Sequence, residues 1–241
     1  MLSKPYRMDI TTEWTDPELG IVRIRVNKQA RHIILRASAN GILITIPPQT
    51  EQERITECLS LHRNKLKSLQ AKSPSTRIDF NYRIETDLFQ LSISPGTLSH
   101  FTAKSSLGKM EIICPNHTNF NEDEIQLWLQ KVIREGLRKN AQALLPLRLQ
   151  RLAQQWNLTY KQVRINASKG RWGSCSIQKH INLSLNLLLL PSRLIDYVLL
   201  HELAHTVEMN HGQKFWTLLN QMTDQQAFSL RQELKKYHPK F

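Results

Sequence analysis

Residues 196–216, "DYVLLHELAHTVEMNHGQKFW", place three histidines and two glutamates in a run with one glycine and no proline. On a helix, positions four apart differ by about 40° around the axis, so His201 and His205 project together, one turn apart. Two imidazoles so placed can bind one Zn²⁺, and Glu202 between them points toward the open coordination position. There it can take a proton from a water attacking a carbonyl. The flanking sequence supplies a helix to carry them. Pro191 suits a first turn and Ser192 a cap, while Leu194, Ile195, Val198, Leu199 and Leu203 form an apolar side. The bare five-residue motif also occurs on ordinary surface helices, so its surroundings decide.

The residues leave a third ligand open between two choices. If the helix continues past His205, Glu208 falls on the same face, seven residues from His201. If it ends near Met209-Asn210, with Asn210 in a left-handed cap, the chain can turn and bring His211 round. The spacing 201, 205, 211 equals that of the metzincin pattern HExxHxxGxxH, but Glu208 stands where that pattern has glycine.

Elsewhere the chain alternates strand and helix signals. "IVRIRVN" (21–27), "HIILRAS" (32–38) and "ILITIP" (42–46) read as strands, with Asn40-Gly41 favouring a tight hairpin. "TEQE" offers a capping box through Thr50 and Glu53. It precedes a helical pattern at Ile55, Cys58, Leu59, His62, Leu66 and Leu69. "AKSPSTR" (71–77) reads as a linker. "FQLSIS", "HFTAKSS" and "KMEIICP" are further strands before a helix opened by Asn121 and Glu124. That helix is expected to break at Pro146, with a second stretch over 146–156. Three short strands, 161–168, 171–177 and 180–186, then lead into the His-Glu-x-x-His helix. The expected class is α+β, with an N-terminal β-rich module and its helix over 1–114 and a second domain over 115–241.

Lys and Arg exceed Asp and Glu by 33 to 20, a formal net charge of +13, which makes nucleic acid a candidate partner. The absence of any dense Lys/Arg block leaves a basic, solvated surface as the plainer reading. Cys58, Cys114 and Cys175 are odd in number and lack a CxxC pair, so neither a disulfide framework nor a Cys-based zinc ribbon is indicated. The first residues lack the apolar stretch of a signal peptide, and "LSLNLLLLP" is far short of a bilayer span. A cytoplasmic, soluble protein with reduced thiols and no membrane association is expected.

The stretch "GRWGSCSIQKHINLSLNLLLLPSRLIDYVLLHELAHTVEMNHGQKFW" resembles the YgjP-like metallopeptidase family (DUF45), related in its core to SprT-like and other zincin domains. The shared features stand at Trp172–Cys175, Ile181–Leu183, Pro191, Asp196–Val198, His201–His205, His211 and Phe215-Trp216. "ARHIILRASANGILITIPPQTEQERITECLSLHRNKL" resembles the family's N-terminal strand-hairpin-helix segment. Two positions depart from the pattern: Lys179, where glycine is frequent in the turn, and Ser184, where asparagine is frequent. They bear on hairpin geometry rather than on the metal set. The resemblance implies a zincin-like second domain, His201, His205 and His211 as ligands of Zn²⁺, Glu202 as general base, and peptide or protein as substrate.

Among neighbouring residues, Tyr197 and Arg171 are candidate oxyanion or substrate contacts. Helix packing is the favoured role for Tyr197, and Arg171 has Asp196 as an alternative partner, with a plain surface arginine an equal reading. Phe215 and Trp216 are expected to wedge the turn carrying His211, and Cys175 to pack rather than react. An edge strand within 171–177 can align an extended peptide. Two rival readings are a DNA-associated SprT-like protease and a basic nucleic-acid-binding protein with a structural zinc. The second would need a fourth ligand near His211, and no Cys or His stands at that spacing.

Overall fold

A computed structural model describes residues 10–38, 41–71, 77–239 and 241. These residues form five α-helices and three small mixed sheets, the α+β class expected from the sequence. Two compact units divide between Thr76 and Arg77.

The first unit holds β1 (Ile10–Asp16), β2 (Gly20–Val26), β3 (Ile34–Ser38) and β4 (Gly41–Ile46), ordered β1-β2-β4-β3, followed by α1 (Gln52–Ala71). Val22, Ile42, Ile44 and Ile46 from the sheet meet Ile55, Leu59 and Leu66 from α1 in its core. The period-2 pattern of the strands and the 3.6 period of the helix thus share one apolar interface. β1 escapes a sequence reading because Thr, Glu and Asp dominate "ITTEWTD". Ser38 pairs with Gly41, whose φ is 118°, and a Cβ there would lie 2.0 Å from the Ile21 carbonyl oxygen. Asn40 of the expected turn and residues 72–76 of the expected linker lie outside the described residues. The Thr50 hydroxyl donates back to the Pro47 carbonyl at 2.8 Å, so Thr50 does not play the forward-bonding part of the expected capping box.

The second unit opens with β5 (Ile84–Glu85), β6 (Gln90–Gly96), β7 (Thr102–Ser106) and β8 (Lys109–Pro115), ordered β5-β6-β8-β7. Leu91, Ile93, Met110 and Ile112 of this sheet share a core with Leu129, Ile133 and Leu137 of α2 (Asp123–Gln155). This shared burial corrects the boundary expected at 114: the strands after residue 77 belong with the C-terminal unit. α2 also corrects the expected break at Pro146, because it runs through the proline without interruption. Proline in a helix interior costs about 3 kcal/mol through a lost N–H and a steric clash. Here Leu145, Leu149 and Leu152 are buried on both sides of it, and their packing offsets that cost.

β9 (Gln162–Asn166), β10 (Gly173–Cys175) and β11 (His180–Ser184) form the sheet nearest the motif, ordered β10-β11-β9. β11 runs parallel to β9 and antiparallel to β10, which leaves β10 at an edge. Lys179 keeps the β10–β11 turn by adopting φ +59°, a left-handed conformation that favours glycine. β11 ends at Ser184 instead of continuing to 186, because the Ser184 hydroxyl accepts from the Asn186 N–H and starts a 3₁₀ turn, Leu185–Leu189. Then come α3 (Ser192–Ala204), α4 (Gln213–Met222) and α5 (Ala227–Leu234). Among the described residues, no helix is long and apolar enough to cross a membrane.

Candidate metal centre

α3 begins at Ser192, whose backbone N–H donates to Asp87 Oδ2 at 2.8 Å. The cap therefore comes from a carboxylate in the β5–β6 connection, and those bonds to Ser192 hold Asp87 below its usual range. Further along α3, Leu194, Ile195, Val198, Leu199 and Leu203 are all buried. With this side packed, the register of the helix is fixed and the direction of His201 and His205 with it.

The helix ends at Ala204, with His205 as its C-cap at φ −65°, ψ −14°. This is earlier than the end expected near Met209-Asn210, and Asn210 has no left-handed backbone. The chain turns through a tightened last turn. The N–H of Thr206 donates to the Leu203 carbonyl at 2.9 Å, and that of Val207 to the Ala204 carbonyl at 3.0 Å. The Thr206 hydroxyl also donates to the Leu203 carbonyl, at 2.7 Å. A 2.8 Å bond from the Gly212 N–H to the Asn210 carbonyl closes the approach to α4.

That turn brings His211 back over His201. One ligand atom from each of His201, His205 and His211 lies within 4.8 Å of the others, the one such group among the described residues. The Nε2 atoms of His201 and His211 are 3.1 Å apart. Glu208 contributes its backbone instead of its carboxylate. Its carbonyl lies 3.1 Å from His205 Nδ1, so an Nδ1–H donates there and leaves the Nε2 lone pair free. Phe215, fully buried, sits against all three imidazoles, with ring centroids 4.9, 4.6 and 4.7 Å from His201, His205 and His211. Trp216 flanks His211 at 6.0 Å.

Burial pushes His201 down to about 3, helped by the neighbouring His205, His211 and Arg231. Burial also lowers His205. Both rings are thus held neutral, the form in which imidazole donates a lone pair to a metal. His201 Nδ1 is buried without a hydrogen-bond partner.

Glu202 lies between His201 and His205 in sequence and is 5% exposed. Burial raises its carboxyl to about 8, with Arg171 pulling in the opposite direction, and Oε2 has no partner. It lies against Gly173 of β10, where a Cβ would fall 2.6 Å from Oε1. The glycine of the Trp-Gly-Ser-Cys strand is the opening into which Glu202 fits. Cys175 is held up at about 11, chiefly by burial and then by Glu202, so it stays a thiol.

Arg171 is exposed and its charge is felt at Glu202. It does not hold Asp196: that carboxylate is bound by Arg148 of α2, with Nε and Nη2 donating at 2.5 and 2.8 Å. Tyr197 is 3% exposed and belongs to the core, its ring 6.1 Å from His201. Burial lifts its hydroxyl to about 12. Sequence reasoning missed Asp87, Arg148 and Arg231. The first two act across 105 and 48 residues, and no local pattern announces either.

The sequence of residues 31–237 matches the family model described as YgjP-like, metallopeptidase domain, and the chain belongs to this family. Comparisons with curated proteins and with solved structures return no match. Family and histidine cluster together indicate a metal-dependent peptidase domain.

Proposed function

We propose that this protein hydrolyses peptide bonds with a zinc ion held by His201, His205 and His211, and with Glu202 as general base. The observation that carries this reading is the convergence of three imidazoles within 4.8 Å beside a buried carboxyl. The donor set fits zinc. Neutral nitrogen ligands suit it, and three of them leave a position open, whereas closed structural sites use four. When bound, the ion supplies a Lewis acid and lowers the pKa of water.

The remaining chemistry belongs to the chain. A positive charge at the three histidines favours the carboxylate form of Glu202, so the base is ionised when the site is loaded. Glu202 accepts a proton from the water as its oxygen bonds to the peptide carbon. It returns that proton to the amine nitrogen as the C–N bond breaks. Gly173 keeps space for this carboxylate, and β10, at the sheet edge, offers backbone groups along which an extended peptide can lie. Arg171, exposed and with its charge favouring the carboxylate form of Glu202, serves as a substrate contact in this reading. Tyr197, in the core, packs the helix.

Glu202→Gln tests the assignment. Zinc content and folding should survive, and peptide hydrolysis should fall on the order of 10²-fold or more, the scale of a lost general base. Full activity in the variant refutes the mechanism, and loss of zinc makes Glu202 a structural partner of the site.

A further inference from the structure

Arg231 is the one basic side chain near the histidines on α5, and nothing in the sequence marks it. Its guanidinium carbon lies 5.1 Å from the centroid of the Trp216 ring. Phe228, three residues earlier on the same helix, stacks on that ring at 4.8 Å and an interplanar angle of 24°. Trp216 in turn lies 6.0 Å from His211 and 5.3 Å from Phe215. An unbroken aromatic path therefore runs from the metal ligands to the cation. Its seat on Trp216, the ring that flanks His211, places Arg231 on the metal-centre side of its helix.

Among the described residues, no carboxylate lies within ion-pair distance of Arg231. Glu233, the nearest acid in sequence, is taken by Arg193. A guanidinium lying over an indole gains from the ring quadrupole while its five N–H donors remain available. A cation without a counter-charge also works against a dication bound nearby. That repulsion is relieved if an anionic group lies between them. The fork of donors matches a carboxylate, with two parallel N–H···O bonds. Phe228, 53% exposed, adds an apolar surface beside it.

We propose that Arg231, seated on Trp216, binds a carboxylate of the peptide substrate and sets a preference for anionic peptides. The proposal rests on the peptidase reading above and names its substrate class. Steps of 6.0 and 5.1 Å lead from the His211 ring through Trp216 to the guanidinium, the length of a few extended residues at about 3.3–3.6 Å each, so the carboxylate belongs a few residues from the scissile bond. The substrate's C-terminal carboxylate and an Asp or Glu side chain of the substrate offer the same chemistry.

The test uses matched peptides on the zinc-loaded full chain: one series with a free or amidated C-terminus, one with Glu or Gln at each position near the cut. The anionic member of at least one pair should show a KM lower by about tenfold or more, the scale of hydrogen bonds to a charged group. In Arg231→Gln that ratio should collapse toward one through KM and not kcat, with zinc retained, and Arg231→Lys should restore part of it. Preference for the free terminus identifies an α-carboxylate, and preference for Glu a side chain; either supports the proposal. Equal KM within every pair for the unmodified protein, or a loss in Arg231→Gln that falls alike on charged and neutral peptides, overturns it. Anisotropy of the same labelled peptides on Glu202→Gln protein separates the two readings. Carboxylate-dependent binding that requires Arg231, found without any cleavage by the unmodified protein, keeps the proposal and sinks the peptidase assignment.

Discussion

Gly173 and Glu202 share a space that admits only one side chain: a methyl group on Gly173 would stand 2.6 Å from Glu202 Oε1 and 2.7 Å from its Cγ. Separated by 29 positions in sequence, the two residues meet because β10 runs along α3. The glycine has no left-handed backbone to excuse it, so steric room is the whole reason for it.

Gly173→Ala should therefore displace the Glu202 carboxyl, the proposed base, while leaving the three histidines in place. A misplacement of about 1 Å at a catalytic group can cost on the order of 10²-fold in rate, and a loss of that size is expected here. Zinc content by atomic emission should match the unmodified protein. An alanine variant with unchanged peptide hydrolysis shows that Glu202 has room to move and still work.

The ligand assignment makes a sharper contrast. His211→Ala removes one of three converging nitrogens and should weaken zinc retention strongly, by at least the 10–100-fold typical of losing even a supporting residue. Glu208→Ala should leave it nearly unchanged, because only the Glu208 carbonyl touches His205. Competition with a chromogenic chelator reads both. If Glu208→Ala strips the metal and His211→Ala keeps it, the carboxylate is the ligand.

The choice between Glu208 and His211 shows where sequence reasoning reached its limit. Periodicity brought His201 and His205 together at the end of α3 with Glu202 between them in sequence, since helix geometry is local. It could not place the helix end, because Thr206 and the backbone of Leu203 and Ala204 close the turn without the glycine or left-handed asparagine that usually marks one. The resemblance supplied His211, and Phe215 beneath the three rings supplies its physical reason. Asp87 at the α3 cap, Arg148 on Asp196 and the space at Gly173 are contacts between distant segments. A one-dimensional pattern has no term for these. Pro146 failed in the opposite direction: a strong local signal was outweighed by packing on both sides of it.

Arg148 and Asp196 join α2 to α3, the helix that carries His201 and Glu202. Their side chains are 19% and 32% exposed, so the bidentate pair is partly shielded from water. Arg148→Ala leaves Asp196 with its charge less compensated, and a loss of about 1–3 kcal/mol is expected for hydrogen bonds to a charged group. Urea unfolding followed by near-ultraviolet dichroism should show a lower midpoint. Arg171→Ala should not move that midpoint, and a shift there as large as for Arg148→Ala returns Asp196 to Arg171.

Acid sensitivity of the first unit should centre on Asp16. Its carboxylate accepts from Arg63 Nη1 and Nη2 at 2.9 and 2.8 Å, and from the backbone N–H groups of Glu18 and Leu19 at 2.9 and 3.0 Å. The Arg63 bonds are the largest cause, and together these contacts hold Asp16 at about 2, against 3.8 for an unperturbed aspartate. A depressed carboxyl contributes stability that is fully present above the unfolded-state pKa, and that stability drains away as pH falls toward the folded value. The window is therefore about pH 4 down to 2, and nothing from this group should change above it. Arg63→Ala removes the main cause, brings the folded value closer to the unfolded one, and should raise the acid midpoint of the unit by roughly one pH unit. Glu18 retains Lys67 in that variant, so the local acid cluster is not left without a cation. Hydrogen exchange of the β1, β2 and α1 amides between pH 2 and 5 isolates this unit from the second. An acid midpoint that stays in place when Arg63 is removed assigns the stability to other carboxylates.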